Sequence, residues 1–456
     1  MADSPKVRVR EPRRDGQRIV FEIRDDSIPV EHPARLLWEV LGRVDLSAFV
    51  AQAKAVQGGP GGSLKSRRML LTLWAYALTQ GIGSAREIER RLHADDHAFR
   101  WIAGDQHVSH TLLSEFLVEH VEAMHALFTN VLGELQSRRL LFLPGHRTAQ
   151  DGTRVRANAG IASFRTRAGL DSVRAQAELH LKAVLARMDL PSDRAVEVLD
   201  DDDDEGKEAQ QPGARPPEGD DPGDPPLTEA QQRARERGAM DVLDRVKKAT
   251  KVVQELQDKR SDCRNKKRQT TPPKASTTDP EARLMKVSNG GFEPAHNVQL
   301  AVMGSPMGGP ITILGVQVTS LGSDKHSVMP MCEQVERRTG HKLDEILVDG
   351  EHLTQEELLA AIEQERTVIA PVPERWELSQ EPQDPSIKAW MAEMKTEAMR
   401  RAYRTRKALV ELANAILKGR FGLRQVPVRG TNKVLCVFLL AAVVVNLTQH
   451  GLSLLT

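Results

Sequence analysis

Three acidic residues stand out for the company they keep. Asp349 closes the apolar run Glu345-Ile-Leu-Val-Asp349 and is followed by Gly350. It therefore sits at the carboxyl end of a buried strand, where ligands bind in open α/β sheets. A carboxylate in that place, away from Lys and Arg, suits a hard divalent cation. Asp-Gly is also a common turn pair, and this structural alternative stays open for Asp349 as it does for Asp151-Gly152. Glu411 interrupts the apolar face of Leu409, Leu412 and Ile416 in a strongly basic stretch, where an acid serves equally well as an ion-pair partner. Each residue alone reads as structural; their joint context decides.

The elements that must carry them follow from periodicity. Strand-helix alternation over residues 344–418 indicates an α/β sheet, with strands at Glu345–Asp349 and Thr367–Val372 and helices at Met329–Arg338 and Thr354–Gln364. One long helix, Ser386 to Lys418, is expected to hold Glu411. Arg139–Asn158 reads as a strand or hairpin with Asp151 near its centre, and residues 282–319 are β-rich, Ile311–Thr319 most clearly. Residues 31–138 instead show helical periodicity: Leu36, Leu37, Val40 and Leu41 share a face. After the break at Gly58–Gly62, helices are expected at Ser66–Thr79, from a capping box at Ser84–Glu87, and from Thr111 to Leu135. Its small, capped helices could hold a helix-turn-helix and so make this an all-helical DNA-binding domain, although most short helix pairs merely pack; residues 1–30 are expected to form an arm. Residues 139–169 and 269–456 make the α/β domain. Residues 170–268 are a helical insertion, Leu170–Met188 folding back on Thr228–Lys267, interrupted by a disordered acidic linker at 199–227.

The net charge of +1 hides strong segregation. Residues 197–224 carry twelve acids and two bases, whereas residues 395–433 carry eleven bases and two acids, and residues 245–268 ten bases and three acids. Basic patches of this kind are the footprint of a phosphate-backbone binder, although solvated helix faces look the same. Cys263, Cys332 and Cys436 show no CxxC spacing, which argues against a zinc site or a disulfide scaffold. The basic N-terminus has no apolar stretch behind it, so no secretory signal is expected. The longest apolar run, Val434–Val445, has twelve residues against the about 20 that a bilayer needs. It reads as a buried helix or strand of a cytoplasmic protein with no membrane partner.

The run Tyr403, Arg406, Glu411, Lys418, followed by Gly422-Leu-Arg-Gln425 and Val428-Arg-Gly430, adds a wider context. So do Gln80-Gly-Ile82 with Ser84-Ala-Arg-Glu-Ile88, Ala149-Gln-Asp-Gly-Thr153 with Arg156-Ala-Asn158, Asp279-Pro280, Asn297-Val-Gln299 and Leu347-Val-Asp-Gly350. Together these segments resemble the bacterial insertion-sequence DDE transposases that carry an N-terminal helical domain. The resemblance does not extend to the acidic linker. Where that family favours Tyr before the Asn-x-Gln motif and Asp shortly after it, this chain has His296 and Met303.

What the resemblance implies is an RNase H-like mixed sheet with helices. Asp151 lies on its first strand, Asp349 on its fourth, and Glu411 on the C-terminal helix; these three are the implied catalytic and metal-binding residues. The implied cofactor is a pair of Mg²⁺ ions, or Mn²⁺ in their place. Two ions about 4 Å apart hold the attacking and leaving oxygens of an in-line displacement. The reaction is strand cleavage and strand transfer at the ends of an insertion sequence. The partners are double-stranded DNA, as element end and target, and further copies of the chain, at the nucleoid. Thr153, Arg154, Arg156, Tyr403, Arg406, Lys418, Arg424 and Arg429 are the implied DNA contacts. At 100° per residue, Lys418 and Glu411 share a helix face. Two rivals stay open: a decayed or repurposed copy that binds DNA without cutting it, and a metal-dependent nuclease without strand transfer.

Overall fold

One strand organises the molecule. In the computed structural model β1 (Arg147–Arg156) pairs antiparallel with a long strand, Phe292–Gly304, in a register that sets Asp151 opposite Leu300 and Gly152 opposite Gln299. In chain order the remaining strands are β2 (Phe164–Arg165), β3 (Ala275–Ser276), β4 (Arg283–Lys286), that long strand as β5, β6 (Ile311–Thr319), β7 (Glu345–Leu347) and β8 (Thr367–Ile369). β5 pairs antiparallel with β4 and β6, while β1, β7 and β8 run parallel. Four strands in antiparallel pairings, β4, β6, β5 and β1, thus continue into two parallel ones, β7 and β8. This mixed sheet with flanking helices is consistent with an RNase H-like transposase core. The structure describes residues 24–51, 64–94, 96–104, 106–186, 228–261, 269–287, 290–378 and 384–455. Most of the expected arm, the glycine-rich break, the acidic linker and Cys263 lie outside the described residues.

The helical part comprises α1 (Pro33–Arg43), α2 (Arg67–Thr79), α3 (Ala85–His93), α4 (His97–Ala103), α5 (His110–Glu119) and α6 (Val121–Ser137). Short polar side chains start most of them: Ser66, Asp96 and Ser109 accept from backbone N–H groups of the first turn, satisfying donors the helix cannot. The capping box expected at Ser84–Glu87 does not form. Ser84 makes no side-chain cap bond, and Glu87 turns along the helix to Arg90 and Arg91. The helix expected at Thr111–Leu135 is two, broken at His120, whose ring packs on Phe49 and Phe116.

The insertion leaves and rejoins the α/β part at a ribbon in which β2 pairs with β3. Its helices α7 (Arg167–Ala186) and α8 (Glu229–Ser261) meet through Ala177, Leu181, Leu185, Ala239 and Leu243. Beyond β6 come α9 (Val328–Thr339), α10 (Gln355–Glu363), α11 (Glu374–Glu377), α12 (Pro385–Met394) and α13 (Glu397–Asn414). The single helix expected from Ser386 to Lys418 is therefore α12 and α13, with Thr396 capping the second. A π-helical segment, Ala415–Arg420, then follows.

The last helix, α14 (Thr431–Leu455), contains the apolar run and packs against α1, α2, α5, α6 and β6. Its length and composition would let it cross a membrane, but 83% of its apolar window is buried inside the fold. It joins the helical part and the sheet into one continuous apolar core. Asn446 interrupts that run where an acceptor and a donor are needed together. Its Oδ1 accepts from Ile313 N at 2.8 Å and its Nδ2 donates to Ile313 O at 2.9 Å. Edge-strand groups of β6 that would otherwise be orphaned are satisfied this way.

A buried polar pair ties β5 to the start of α14. His296 Nε2 donates to Asp279 Oδ2 at 2.9 Å with both side chains fully buried, and Asp279 Oδ1 accepts from Gly430 N and Glu281 N. Asp279 does start a turn, as Asp-Pro suggests, and His296 gains a structural role of its own. Burial pushes the Asp279 carboxyl up, but His296 and the two backbone donors more than offset this and hold it below the usual carboxylate range. Arg283 also faces it. A depressed carboxyl stabilises the fold fully above its unfolded pKa and progressively less as pH falls toward the folded value. Wild type is thus expected to lose stability below about pH 4. Asp279→Asn should melt lower than wild type at pH 7, with the gap narrowing in acid. A gap that stays constant between pH 7 and pH 3 would show that the carboxylate contributes nothing.

Candidate active site

Parallel register brings two of the three expected acids together. Ala149 on β1 pairs with Leu347 on β7. Two residues further along, Asp151 midway on β1 and Asp349 just past the end of β7 come to the same side of the sheet. Both line one cavity, together with Gln150, Gly152, Gln299, Asp324 and Arg406. Asp349 also caps the following turn, accepting from Glu351 N at 3.1 Å, so the turn reading of its Asp-Gly pair holds. Gly350 is required there, since a Cβ would collide with the Pro371 carbonyl.

Helix α13 supplies the basic side of the cavity. Arg406 Nη2 donates to Asp151 Oδ1 at 2.6 Å and its Nε to the Gln150 carbonyl at 3.3 Å. Asn414 Nδ2 lies 3.5 Å from Asp151 Oδ2. Burial pushes the Asp151 carboxyl above the usual range; Arg406 opposes this, while the charges of Asp324 and Asp349 add to it. Tyr403 is half-buried beside Arg406, and burial raises its phenol. Lys418 Nζ donates to the Arg154 carbonyl at 2.9 Å, and burial lowers its ammonium while Asp151 acts the other way.

Glu411 is not drawn in. Its side chain is 65% exposed, 3.8 Å from Lys407 Nζ, and does not line the cavity. The shared face expected for Glu411 and Lys418 assumes α-helical rotation, and the π-segment breaks that assumption. Phe421 N bonds to Ile416 O, five residues back, so residues beyond Asn414 advance by less than 100° each.

The other expected DNA contacts divide by exposure. Arg156, Arg424 and Arg429 are exposed, although Arg156 pairs with Glu293 and Arg429 bonds to the Asn158 carbonyl. Arg154 is half-buried and donates to Gly322 O at 3.0 Å. Thr153 is 5% exposed within the sheet, so it packs and presents no hydroxyl to solvent.

Asp324, on the loop after β6, was not singled out from the sequence, nor were Gln150 and the amides of Asn297 and Gln299 given a role. A signal was present in Asn297-Val-Gln299, because alternate strand residues share a face. The acids Asp151, Asp324 and Asp349 are not all within 4.8 Å of one another. Among the described residues Glu89, His93 and His107 reach that closeness, but Glu89 already meets His110 Nδ1 at 2.7 Å. A pair of cations about 4 Å apart needs a wider span than 4.8 Å. The donor set fits hard divalent cations: carboxylates with one guanidinium among them, plus the buried side-chain oxygens of Gln150 and Asn414, which have no hydrogen-bond partner among the described residues.

Comparison with known families places two segments. Residues 373–450 match a family described as a transposase DDE domain, and residues 22–119 match one described as a transposase domain (DUF772). The first contains Tyr403, Arg406, Glu411 and Lys418; Asp151, Asp324 and Asp349 lie between the two. Neither match reaches half the chain, and both are consistent with an insertion-sequence DDE transposase. No curated protein and no solved structure matches the chain.

Proposed function

We propose that the chain is a DNA transposase that uses divalent cations to cut the ends of an insertion sequence and join them to target DNA. The observation that carries this is the placing of Asp151, on β1, and Asp349, just past β7, on one side of the sheet, in a chain with transposase matches near both ends. Asp151 and Asp349 would hold Mg²⁺ or Mn²⁺, two ions in all, with Glu411 as the third acid. When bound, such ions activate an attacking oxygen and stabilise the departing one. Glu411 can leave Lys407 at little cost, since an exposed pair of this kind contributes less than about 1 kcal/mol.

The chain's own residues do the positioning. Arg406 fixes the Asp151 carboxylate and offsets part of the negative charge around it. Lys418, anchored on the Arg154 carbonyl, holds its ammonium beside the cavity, where a DNA phosphate would meet it. The exposed Arg424 and Arg429 extend this basic surface along a duplex. In the first step water attacks phosphorus, the bond to the 3′ oxygen breaks, and a 3′-hydroxyl is freed. In the second that hydroxyl attacks a target phosphodiester. Successive copies of the chain on two element ends would serve both ends of one element.

Duplexes made from any terminal inverted repeats found on either side of the gene test the proposal; their absence would count against it. With Mg²⁺ the protein is expected to nick at the repeat boundary and then yield joined products, and EDTA should abolish both. Binding without cleavage would favour a DNA-binding protein, and cleavage without joining a nuclease.

A further inference from the structure

Asp324 reaches the cavity from outside the strands that carry the other acids. It lies on the loop after β6, yet Asn297 Nδ2 and Gln299 Nε2 both donate to its Oδ1. Those amides come from alternate residues of β5 and so from one face of the sheet. Gln299 stands opposite Gly152 in the β1–β5 register, and a Cβ on Gly152 would collide with both Asp324 Oδ1 and Gln299 Nε2. Two amides and a missing side chain together make room for one more acid beside the strand that carries Asp151.

Asp324 and Asp151 are close enough for their charges to repel, and a cation shared between them would relieve this. Of the two acidic neighbours, Asp324 weighs more on Asp151 than Asp349 does. A separate observation points the same way. Gln150 lines the cavity and is 3% exposed, and its Nε2 bonds to Ser327, but its Oε1 has no hydrogen-bond partner among the described residues. An acceptor left bare in a polar cavity marks the place of a cation or its water.

We propose that Asp324 is a further carboxylate ligand of the divalent-cation site in the DNA-free protein, positioned by Asn297 and Gln299 and admitted by Gly152. This rests on the metal-dependent reading of the site and adds a residue to it. It gives the Asn-x-Gln motif a function: the amides neither bind metal nor touch DNA but aim an acid. It also lets the protein take up a cation before Glu411 leaves Lys407.

Titrating the full-length, DNA-free chain with Mn²⁺, and following free Mn²⁺ by its paramagnetic resonance, tests this without relying on activity. Wild type is expected to bind. Asp324→Asn keeps an oxygen for both amides, so it should fold as wild type while its Mn²⁺ affinity falls at least about 10-fold, the scale on which even outer partners of metal ligands act. Gly152→Ala should weaken binding comparably with Asp324 still present, because the methyl group displaces it. Melting curves without metal confirm that each variant is folded. If both folded variants bind Mn²⁺ like wild type, the inference is overturned while the proposed function stands. If wild type binds none, the metal-dependent reading falls and the inference falls with it.

Discussion

Asp151→Asn is expected to lower the rate of strand cleavage by about a thousand-fold or more, with no loss of melting temperature. Lewis-acid activation contributes several kcal/mol to such reactions, and each 1.36 kcal/mol is a factor of about ten in rate. Asp151 is the acid on which the others converge: Arg406 and Asn414 reach it directly, and Asp324 and Asp349 raise it electrostatically. The same crowding predicts the stability result. Burial and like charges disfavour the ionised form, so a neutral amide of equal size removes a strain while Arg406 loses one partner and keeps the Gln150 carbonyl. Single-turnover cleavage of repeat-end DNA and a melting curve on the same preparation check both halves. A variant that cuts at the wild-type rate would mean that chemistry occurs elsewhere.

What could be read from the sequence follows the range of the forces involved. Ile311–Thr319 was legible to the residue because a run rich in β-branched side chains between Pro310 and Ser320 is a local signal. Asp151 and Asp349 were legible as strand acids for the same reason. That they share a cavity came only from the family resemblance, because it depends on pairing Ala149 with Leu347, almost 200 residues away. Asp324 was invisible for a related reason: it sits on an aperiodic loop, and only the register of Gly152 against Gln299 gives its position meaning. The face shared by Glu411 and Lys418 was misjudged because α-helical rotation was assumed to continue to Lys418, through the π-segment. The break between α12 and α13 was missed as well, where the Thr396 hydroxyl caps the new helix at Met399 N. The helical part was legible as helices but not in its relation to the sheet. α14 supplies that relation, and the fixing residue on it is the polar one within its apolar run.

Asn446→Leu should therefore destabilise the protein by about 2–5 kcal/mol, although leucine matches the surrounding helix in polarity. Removing the amide leaves the N–H and C=O of Ile313 buried and unpaired, and each such group costs about 1–3 kcal/mol. The apolar surface gained by leucine offsets part of this. Asn446→Asp should be worse, because a carboxylate can accept from Ile313 N but cannot donate to Ile313 O, and it buries a charge besides. Urea denaturation followed by far-ultraviolet circular dichroism gives the order: wild type above leucine, leucine above aspartate. The consequence reaches the cavity. Asn446 holds β6 from outside, β6 pairs with β5 at Gln317 and Gln299 beyond a register shift at Ala301/Val302, and Gln299 holds Asp324. A loosened β6 edge should thus weaken Mn²⁺ binding in the folded leucine variant while the cavity's own residues are unchanged. If Asn446→Leu denatures with wild type, the edge of the sheet is held by apolar packing alone, and no such coupling from α14 to the cavity exists.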